Sequence, residues 1–554
     1  MAIASPSAPS LSASLYCTRA ESARFPRFST VRLRRARPPT PQLRVTSSRF
    51  NSSTASNGFA SPDKGNDLHY ELQHSSNHRR RGSPVFVTLP ADAVSPAGEM
   101  RRRKAMPQSF RALAAAGVEG VVMEVWWGIV ERDAPGVYDW QGYVEIVTLA
   151  RRCGLKVRAV MAFHQCGTGP GDPFWLPLLC LRIPLPRWVL EEIDKDPDLA
   201  YSDRFGRRNM EYISLGCDIL PVLQGRSPIQ AYADFMRNFR DTFRSFLGGI
   251  ITGVQVGMGP AGELRYPSCP SQKLGWAWRS RELGEFQCHD KYMLASLKVC
   301  AREIGMREWE NGGPIGAGNL MHNPENTEFF RSDGSWKTPY GEFFLEWYSR
   351  MLLQHGERIC REAETIFRGT EVSTSSKVAG IYWHYDTPSH PSELTAGYYN
   401  TSSRDGYLPI ARMFGRYGFT MCCSGFEMQD VEEQQMNPTS SPEGFLRQLL
   451  LAARICNIPL EGENSSTGLD DESFLQVLKT SKLYSDGLKK PAFSFNFVRM
   501  DKNLFEYHNW VSFSRFVRQM SDAKNMCRAK SDFEGGDFCL STTSAANVGV
   551  VLAY

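Results

Sequence analysis

The chain has 554 residues, of which 42 % are hydrophobic and 22 % are charged, so it holds enough apolar material for a large core. The formal net charge of +5 is unevenly distributed, because residues 1–62 carry nine arginines, no lysine and one acid. The rest of the chain is mildly acidic, which gives no electrostatic case for nucleic-acid binding. No apolar run approaches the roughly 18 residues that a membrane helix needs. We therefore expect neither a nucleic-acid nor a membrane partner.

The two ends of the chain differ in composition from its centre. Residues 1–62 are rich in Ser, Ala, Pro and Arg and lack a compact apolar core, which is typical of an organelle transit peptide. The abundance of Ser and Pro favours a chloroplast address, and we expect the mature protein in the plastid stroma. Residues 63–82 are expected to form a flexible linker and residues 523–554 a loosely ordered tail. Residues 83–522 then remain as one folded domain.

Between these ends, short apolar runs alternate with amphipathic segments. The eight candidate strands, in chain order, are residues 85–89, 121–127, 157–163, 250–256, 378–383, 419–423, 458–460 and 493–497. Helical periodicity separates many of them, and it is clearest in the segment that contains Tyr232, Phe235, Met236, Phe239 and Phe243. Short apolar runs that alternate with segments of helical, 3.6-residue periodicity predict βαβ units and a parallel sheet.

Eight such units within residues 83–522 predict an α/β fold, a single (β/α)8 TIM-type barrel with long βα-loop insertions. A doubly wound sheet is the alternative. It is less favoured because no G-x-G-x-x-G motif follows the first predicted strand.

Polar residues are concentrated where the predicted strands end. The second strand runs into Glu124, the third into His164, the sixth into Ser424 and the seventh into Glu463. In (β/α)8 barrels the chemistry takes place at this end of the strands. Neighbouring Trp and Tyr residues suit a carbohydrate site, and glycoside hydrolysis needs two carboxyl groups across the scissile bond. A single glutamate at a strand end is more often a structural acid, but polar ends on seven of the eight strands favour a functional site.

No motif indicates a metal or a cofactor. The chain lacks H-E-x-x-H, a P-loop and any C-x-x-C pair among its 14 cysteines. For His164, a neutral hydrogen-bonding role is favoured over metal ligation. We expect the cysteines to be mostly reduced and the site to work without a cofactor.

Five stretches of sequence are specific enough to indicate a family. They are residues 163–167 (FHQCG), 257–267 (GMGPAGELRYP), 284–292 (GEFQCHDKY), 396–400 together with 404–407 (AGYYN, RDGY) and 461–464 (EGEN). Together they resemble plant β-amylases, glycoside hydrolase family fourteen, and the resemblance runs from about residue 84 to residue 520. It implies a (β/α)8 barrel and an inverting exo-hydrolase that releases β-maltose from the non-reducing ends of α-1,4-glucans.

The resemblance also assigns roles to individual residues. Glu263 matches the general acid, and Glu463 matches the general base that activates water. The family's substrate-binding residues are matched in type by His164, Asp172, Lys377, Asn464 and Arg499. At four further substrate-binding positions this chain has Glu124, Tyr382, Ser424 and Ser465, where the family usually has Asp, His, Thr and Ala.

The loop after His164 departs most from the family. It reads GTGPGD over residues 167–172, where the family usually has G-G-N-V-G-D, and Pro170 fixes φ and removes an N–H donor. In the family this lid excludes water and completes the site when it closes. We expect the altered sequence to impair closure and therefore to lower the activity. The substitutions are similar to those of a plastid branch of the family regarded as weak or non-hydrolytic. The alternative hypothesis is an inactive plastid protein that binds glucan or a protein partner and regulates starch degradation.

Overall fold

The computed structural model describes residues 82–166, 182–269, 283–320, 322–466, 469–484, 493–522 and 526. The predicted transit peptide, residues 63–81 of the predicted linker and nearly all of the predicted tail lie outside the described residues. Asp172 and the altered loop at residues 167–172 lie outside them as well.

Eight parallel strands form a closed barrel. In chain order the strands are β1 (Val85–Thr88), β2 (Gly120–Trp126), β3 (Lys156–Ala162), β4 (Ala200–Ser202), β5 (Arg208–Ile213), β6 (Ile251–Val256), β7 (Ser373–Lys377), β8 (Phe419–Ser424), β9 (Leu460–Glu463) and β10 (Phe493–Phe497). β4 and β5 pair with each other as an antiparallel hairpin. The other eight follow one another around the barrel in chain order, and β10 pairs with β1 to close it.

Helices connect the barrel strands. In the described part of the chain they are α1 (Met106–Ala116), α2 (Trp127–Val130), α3 (Gln141–Arg152), α4 (Arg187–Lys195), α5 (Pro228–Thr242), α6 (Lys291–Glu303), α7 (Pro339–Phe367), α8 (Pro391–Ala396), α9 (Leu408–Arg416), α10 (Asp430–Met436), α11 (Pro442–Ile455), α12 (Asp471–Lys482) and α13 (Tyr507–Ser521). No helix among these residues is long and apolar enough to cross a bilayer. Parallel strands closed into a barrel with connecting helices confirm the predicted (β/α)8 architecture.

The sequence accounts directly for the start of α5. Ser227 accepts a hydrogen bond from the Gln230 amide, and the Gln230 side chain accepts one from the Ser227 amide. This reciprocal capping box satisfies two backbone donors, and Pro228 occupies a position where a missing N–H costs nothing. Phe235 and Phe239 are fully buried on the face that the helical pattern predicts.

The predicted position of the fifth barrel strand is wrong. The sequence predicts it at residues 378–383, but the strand is β7, and residues 378–383 belong to the loop that follows. β7 reads STSSK and has no apolar run. Its side chains meet polar partners instead of an apolar core. Ser376 donates to the Val256 carbonyl at 2.8 Å, and Ser375 lies 3.5 Å from Glu461. Lys377, rather than Tyr382, is therefore the residue that ends this strand.

The inside of the barrel has an apolar part and a polar part. Phe86, Val122 and Val160, from β1, β2 and β3, form a small buried cluster separate from the main core. Arg158 of β3 reaches across the interior, because its Nη1 lies 3.5 Å from Glu461 Oε1 on β9. Its guanidinium also lies 3.8 Å from the centre of the Phe86 ring. Buried charges of this kind are tolerated only when they are paired, so each acid inside the barrel needs a cation within reach.

Glu131, which follows α2, is a fully buried carboxylate that joins the end of α2 to the segment just before α5. It accepts hydrogen bonds from the Trp127 indole at 2.6 Å, the Gly136 amide at 2.6 Å and the Arg226 guanidinium at 2.7 Å. We predict that Glu131→Gln lowers the free energy of unfolding by about 3 kcal/mol, because it removes a fully buried charge from a network of three donors and leaves Arg226 to the more distant Asp234, at 3.3 Å. Urea unfolding measures this difference.

The exposed Arg515–Asp471 pair, 3.3 Å apart, provides the matched control. Asp471→Asn is expected to cost less than about 1 kcal/mol, since water and salt screen an exposed pair. Equal losses from the two substitutions would contradict the role assigned to Glu131.

Candidate active site

The predicted site residues that the structure describes lie at or beyond the carboxyl ends of barrel strands. Lys377, Ser424 and Glu463 are the last residues of β7, β8 and β9. Glu124 lies near the end of β2, and His164 follows β3 by two residues. Because all these strands are parallel, their carboxyl ends share one face of the barrel.

Lys377 connects the two predicted catalytic glutamates. Its Nζ lies 2.5 Å from Glu463 Oε2. Its backbone forms a parallel bridge with Glu263, and its carbonyl accepts a hydrogen bond from the Leu264 amide at 2.8 Å. Burial opposes the charged ammonium, but the neighbouring carboxylates, chiefly Glu463, outweigh it and raise the pKa of Lys377. Lys377 is therefore a largely buried cation that contacts Glu463 through its side chain and Glu263 through its backbone.

The segment that carries Glu263 is sharply turned and braced. Ala261 and Gly262 both have positive φ values, +54° and +78°, and the Ala261 amide donates to Glu211 Oε1 at 3.1 Å. A left-handed backbone is unfavourable for Ala, so surrounding contacts must hold the turn. Arg265 Nε lies 2.6 Å from Glu263 Oε2 and fixes the direction of the carboxylate.

The end of β9 is tied to its neighbours through side chains. Asn464 accepts from the Val498 amide at 2.8 Å and donates to the Val498 and Ser466 carbonyls. Glu427, in the loop after β8, accepts from the Ser465 and Ser466 amides at 2.7 and 2.6 Å. Burial raises the pKa of Glu427. The residues after Glu463 are thus held from both sides.

Glu124 and Arg499 form a two-point ion pair beside the acids. Arg499 Nη1 lies 2.8 Å from Glu124 Oε2, and Nη2 lies 3.0 Å from Oε1. Arg499 Nη1 also donates to the Leu89 carbonyl at 2.8 Å, so the pair is anchored to the end of β1. A planar guanidinium bound at two points fixes the orientation of the Glu124 carboxylate.

The remaining predicted residues lie around this centre. Tyr382 is half-buried in the loop after β7, and its ring meets the Trp383 ring edge-on at 5.5 Å. Ser465 is exposed just beyond β9. In the described part of the chain, no group of three or more His, Cys, Asp or Glu side chains is placed to hold a metal ion.

Sequence reasoning missed three residues that shape the site. Glu211 and Arg265 brace the Glu263 turn, and Asn496 of β10 donates to Glu463 Oε1 at 3.3 Å. Arg265 lies inside the recognised GELRYP stretch, where its spacing from Glu263 was an available signal. No local pattern points to Glu211 or Asn496, since their contacts join distant segments.

The half-buried His164 packs edge-on against Trp126, with the ring centres 5.2 Å apart and the planes at 69°. Burial lowers the pKa of His164 to about 4, and this effect exceeds the opposing attraction of Glu124. Nδ1 has no hydrogen-bond partner among the described residues. At neutral pH the ring is uncharged and has a free polar atom.

We predict that this half-buried histidine destabilises the fold in acid. Between pH 6.5 and about 4 the unfolded chain binds a proton at His164 that the folded state does not, so stability falls as the pH falls through this range. His164→Asn is expected to remove up to about 3 kcal/mol of this pH-dependent loss. Urea unfolding at several pH values measures it.

Replacement of the exposed His508 by Asn serves as the control. Parallel stability curves for the parent and His164→Asn between pH 6.5 and 4 would show that burial does not act on this ring as described.

Comparison with known proteins identifies the family of the chain. The profile of glycosyl hydrolase family 14 matches residues 86–525. β-Amylase 1, chloroplastic, from Arabidopsis thaliana is 50 % identical over 458 residues, which cover 82 % of this chain and 78 % of that protein. The protein of the same name from Oryza sativa subsp. japonica is 51 % identical over 452 residues, covering 81 % and 82 % of the two chains.

Among solved structures, the catalytic domain of β-amylase from Paenibacillus polymyxa superposes with a TM-score of 0.63. Its sequence is 22 % identical, and the match covers 79 % of this chain and 98 % of that one, which supports the fold alone. The resemblance read from the five sequence stretches is confirmed, and the chain belongs to glycosyl hydrolase family 14.

Proposed function

We propose that this chain is an inverting exo-hydrolase of the β-amylase type that releases β-maltose from the non-reducing ends of α-1,4-glucans. The observation that carries the proposal is the placement of Glu263 and Glu463 on either side of Lys377 at the carboxyl end of the barrel. Relatives that share about half of its residues are named β-amylases, which supports the same reaction class here.

In this reaction Glu263 donates a proton to the glycosidic oxygen while Glu463 removes one from the attacking water. The water oxygen bonds to the anomeric carbon on the face opposite the leaving group, so an α-linkage yields a β-product. Arg265 directs the Glu263 carboxyl group, and Lys377 holds the carboxylate of the base. During the step negative charge leaves Glu463 and develops on Glu263, where the fixed Arg265 stabilises it without having to move. Lys377 keeps Glu463 ionised before the step.

Residues around the acids would bind the sugar rings. The neutral His164 ring can exchange hydrogen bonds with a hydroxyl group, and the aromatic faces of Tyr382 and Trp383 can pack on the apolar faces of sugars. Ser424 and Ser465 supply further polar groups next to Glu463. Asp172, in the lid, is proposed to contact substrate when the lid closes.

We further propose that turnover is low. Both Glu124 oxygens already bind Arg499, and the amide of Asn464 is occupied by backbone groups. A sugar hydroxyl would have to compete with these internal bonds, which weakens the contacts that would position the substrate for the chemical step. The second candidate function is a glucan-binding or partner-binding regulator of starch degradation. The internal bonds of Glu124 and Asn464 support it too, and it differs from the first function in predicting no turnover.

A plastid location is part of the proposal. The composition of residues 1–62 supports it, as do the chloroplastic names of the relatives in Arabidopsis thaliana and Oryza sativa. The protein would then meet starch and its soluble malto-oligosaccharides in the stroma.

Replacement of the proposed acid tests the reaction. Glu263→Gln keeps the shape of the side chain but cannot donate the proton, and we expect maltose release from maltoheptaose to fall by about 10²-fold or more. Glu432→Gln, on the exposed surface of α10, is the matched control and should leave the rate unchanged. Equal rates for the parent and Glu263→Gln would exclude Glu263 as the acid. A parent protein that binds maltoheptaose without cleaving it would favour the regulatory function.

The lid can be tested separately. If its sequence limits closure, the double substitution Gly169→Asn with Pro170→Val should raise turnover, because it restores a backbone donor and removes a fixed φ. Steady-state rates and circular dichroism of both proteins provide the measurement. A folded double variant with no gain in turnover would assign the low activity to residues other than the lid.

A further inference from the structure

Glu463 is held at both of its oxygens, and the second contact comes from Asn496. Lys377 Nζ lies 2.5 Å from Oε2, while Asn496 Nδ2 lies 3.3 Å from Oε1. Asn496 and Glu463 stand directly opposite each other in the pairing of β9 with β10. Asn496 is only 1 % exposed, so water does not compete for its amide.

The orientation of the Asn496 amide follows from its neighbours. Arg158 Nη1 lies 2.8 Å from one end of the amide, and a guanidinium can only donate. That end must therefore be the oxygen, and the NH2 group must face Glu463 and Glu461, at 3.3 and 3.4 Å. Both carboxylates can accept, so every polar atom of the amide has a suitable partner.

Arg158 is itself fixed from several sides. It lies over the Phe86 ring at 3.8 Å, donates to Ser494 at 2.9 Å and approaches Glu461 at 3.5 Å. Its guanidinium cannot turn without breaking these contacts. Arg158 thereby locks the amide of Asn496, and the locked amide presents a donor to one oxygen of Glu463.

We propose that Asn496 is a positioning residue for the general base, acting through Glu463 rather than on the substrate. The proposal rests on the proposed function, in which Glu463 activates water. A base must point its free lone pair at the water, and a carboxylate held at one oxygen alone can rotate. The contact from Asn496, added to that from Lys377, removes this freedom and transmits the orientation of Arg158 to the catalytic centre.

The test compares Asn496→Asp and Asn496→Leu with the parent on maltoheptaose. Asp keeps the shape but replaces the donor with a repelling oxygen, and Leu removes both polar atoms at similar volume. We expect kcat to fall by about tenfold or more in each, with KM within about twofold, since the base acts only in the chemical step.

Asn238→Leu is the control, because it also removes one side-chain amide, which accepts from the Trp140 indole at 2.7 Å far from the base. It should leave kcat unchanged. A folded Asn496→Asp variant with parental kcat, or an equal loss in Asn238→Leu, would overturn the proposal.

A second measurement does not depend on hydrolysis. If Asn496 faces Glu463, the fall in Tm caused by Asn496→Asp should be smaller in a Glu463→Ala background, where the repelling partner is absent. The same fall in both backgrounds would overturn the proposal even if the enzyme were active. A parent protein that released no maltose would instead reject the proposed function, and the Tm comparison would still decide whether Asn496 holds Glu463.

Discussion

The ion pair between Lys377 and Glu463 sets the condition on which the rest of the barrel depends. A carboxylate buried at the end of β9 is costly unless a cation neutralises it, and Lys377 does so at 2.5 Å. Three further acids in or at the end of the barrel are likewise each paired with a cation. The four pairs are Glu463–Lys377, Glu461–Arg158, Glu263–Arg265 and Glu124–Arg499.

This pairing divides the barrel into parts with different tasks. The strands β7 to β10 carry the proposed base with its supporting amide, and the turn after β6 carries the proposed acid. The strands β1 to β3 contribute the apolar cluster and Arg158 to the interior, and His164 and the Glu124–Arg499 pair lie at or beyond their ends. Glu463 is fixed by barrel strands and Glu263 by a braced turn that bridges to β7, so variation in other loops can change turnover while leaving both acids in place.

The fold could be predicted from the sequence to the extent that strands are apolar. Seven of the eight barrel strands lie within a few residues of their predicted positions, because apolar residues that are buried lie within them or, for β9, at and just before its start. β7 could not be found this way, since Ser375 and Lys377 face charged groups. The β4–β5 hairpin was missed because Arg208–Ile213 carries polar and half-buried side chains without a clear alternation.

The site was predictable where its residues are local in sequence. Glu263 and Glu463 stand in specific stretches, and the structure places both at the carboxyl end of the barrel, while their roles as acid and base are proposals. Their supports are not local: Arg158 and Asn496 are 338 residues apart, and Glu211 and Ala261 are 50 apart. Such contacts arise only when the barrel closes, and a single sequence does not encode them as a pattern.

The configuration of the product is the most direct test of the proposed inverting mechanism. Proton NMR of the maltose, recorded during hydrolysis and before the anomers equilibrate, distinguishes α-maltose from β-maltose. Inversion predicts β-maltose as the first product. Initial release of α-maltose would contradict the assignment of Glu463 as a base, since retention requires a covalent intermediate on the enzyme.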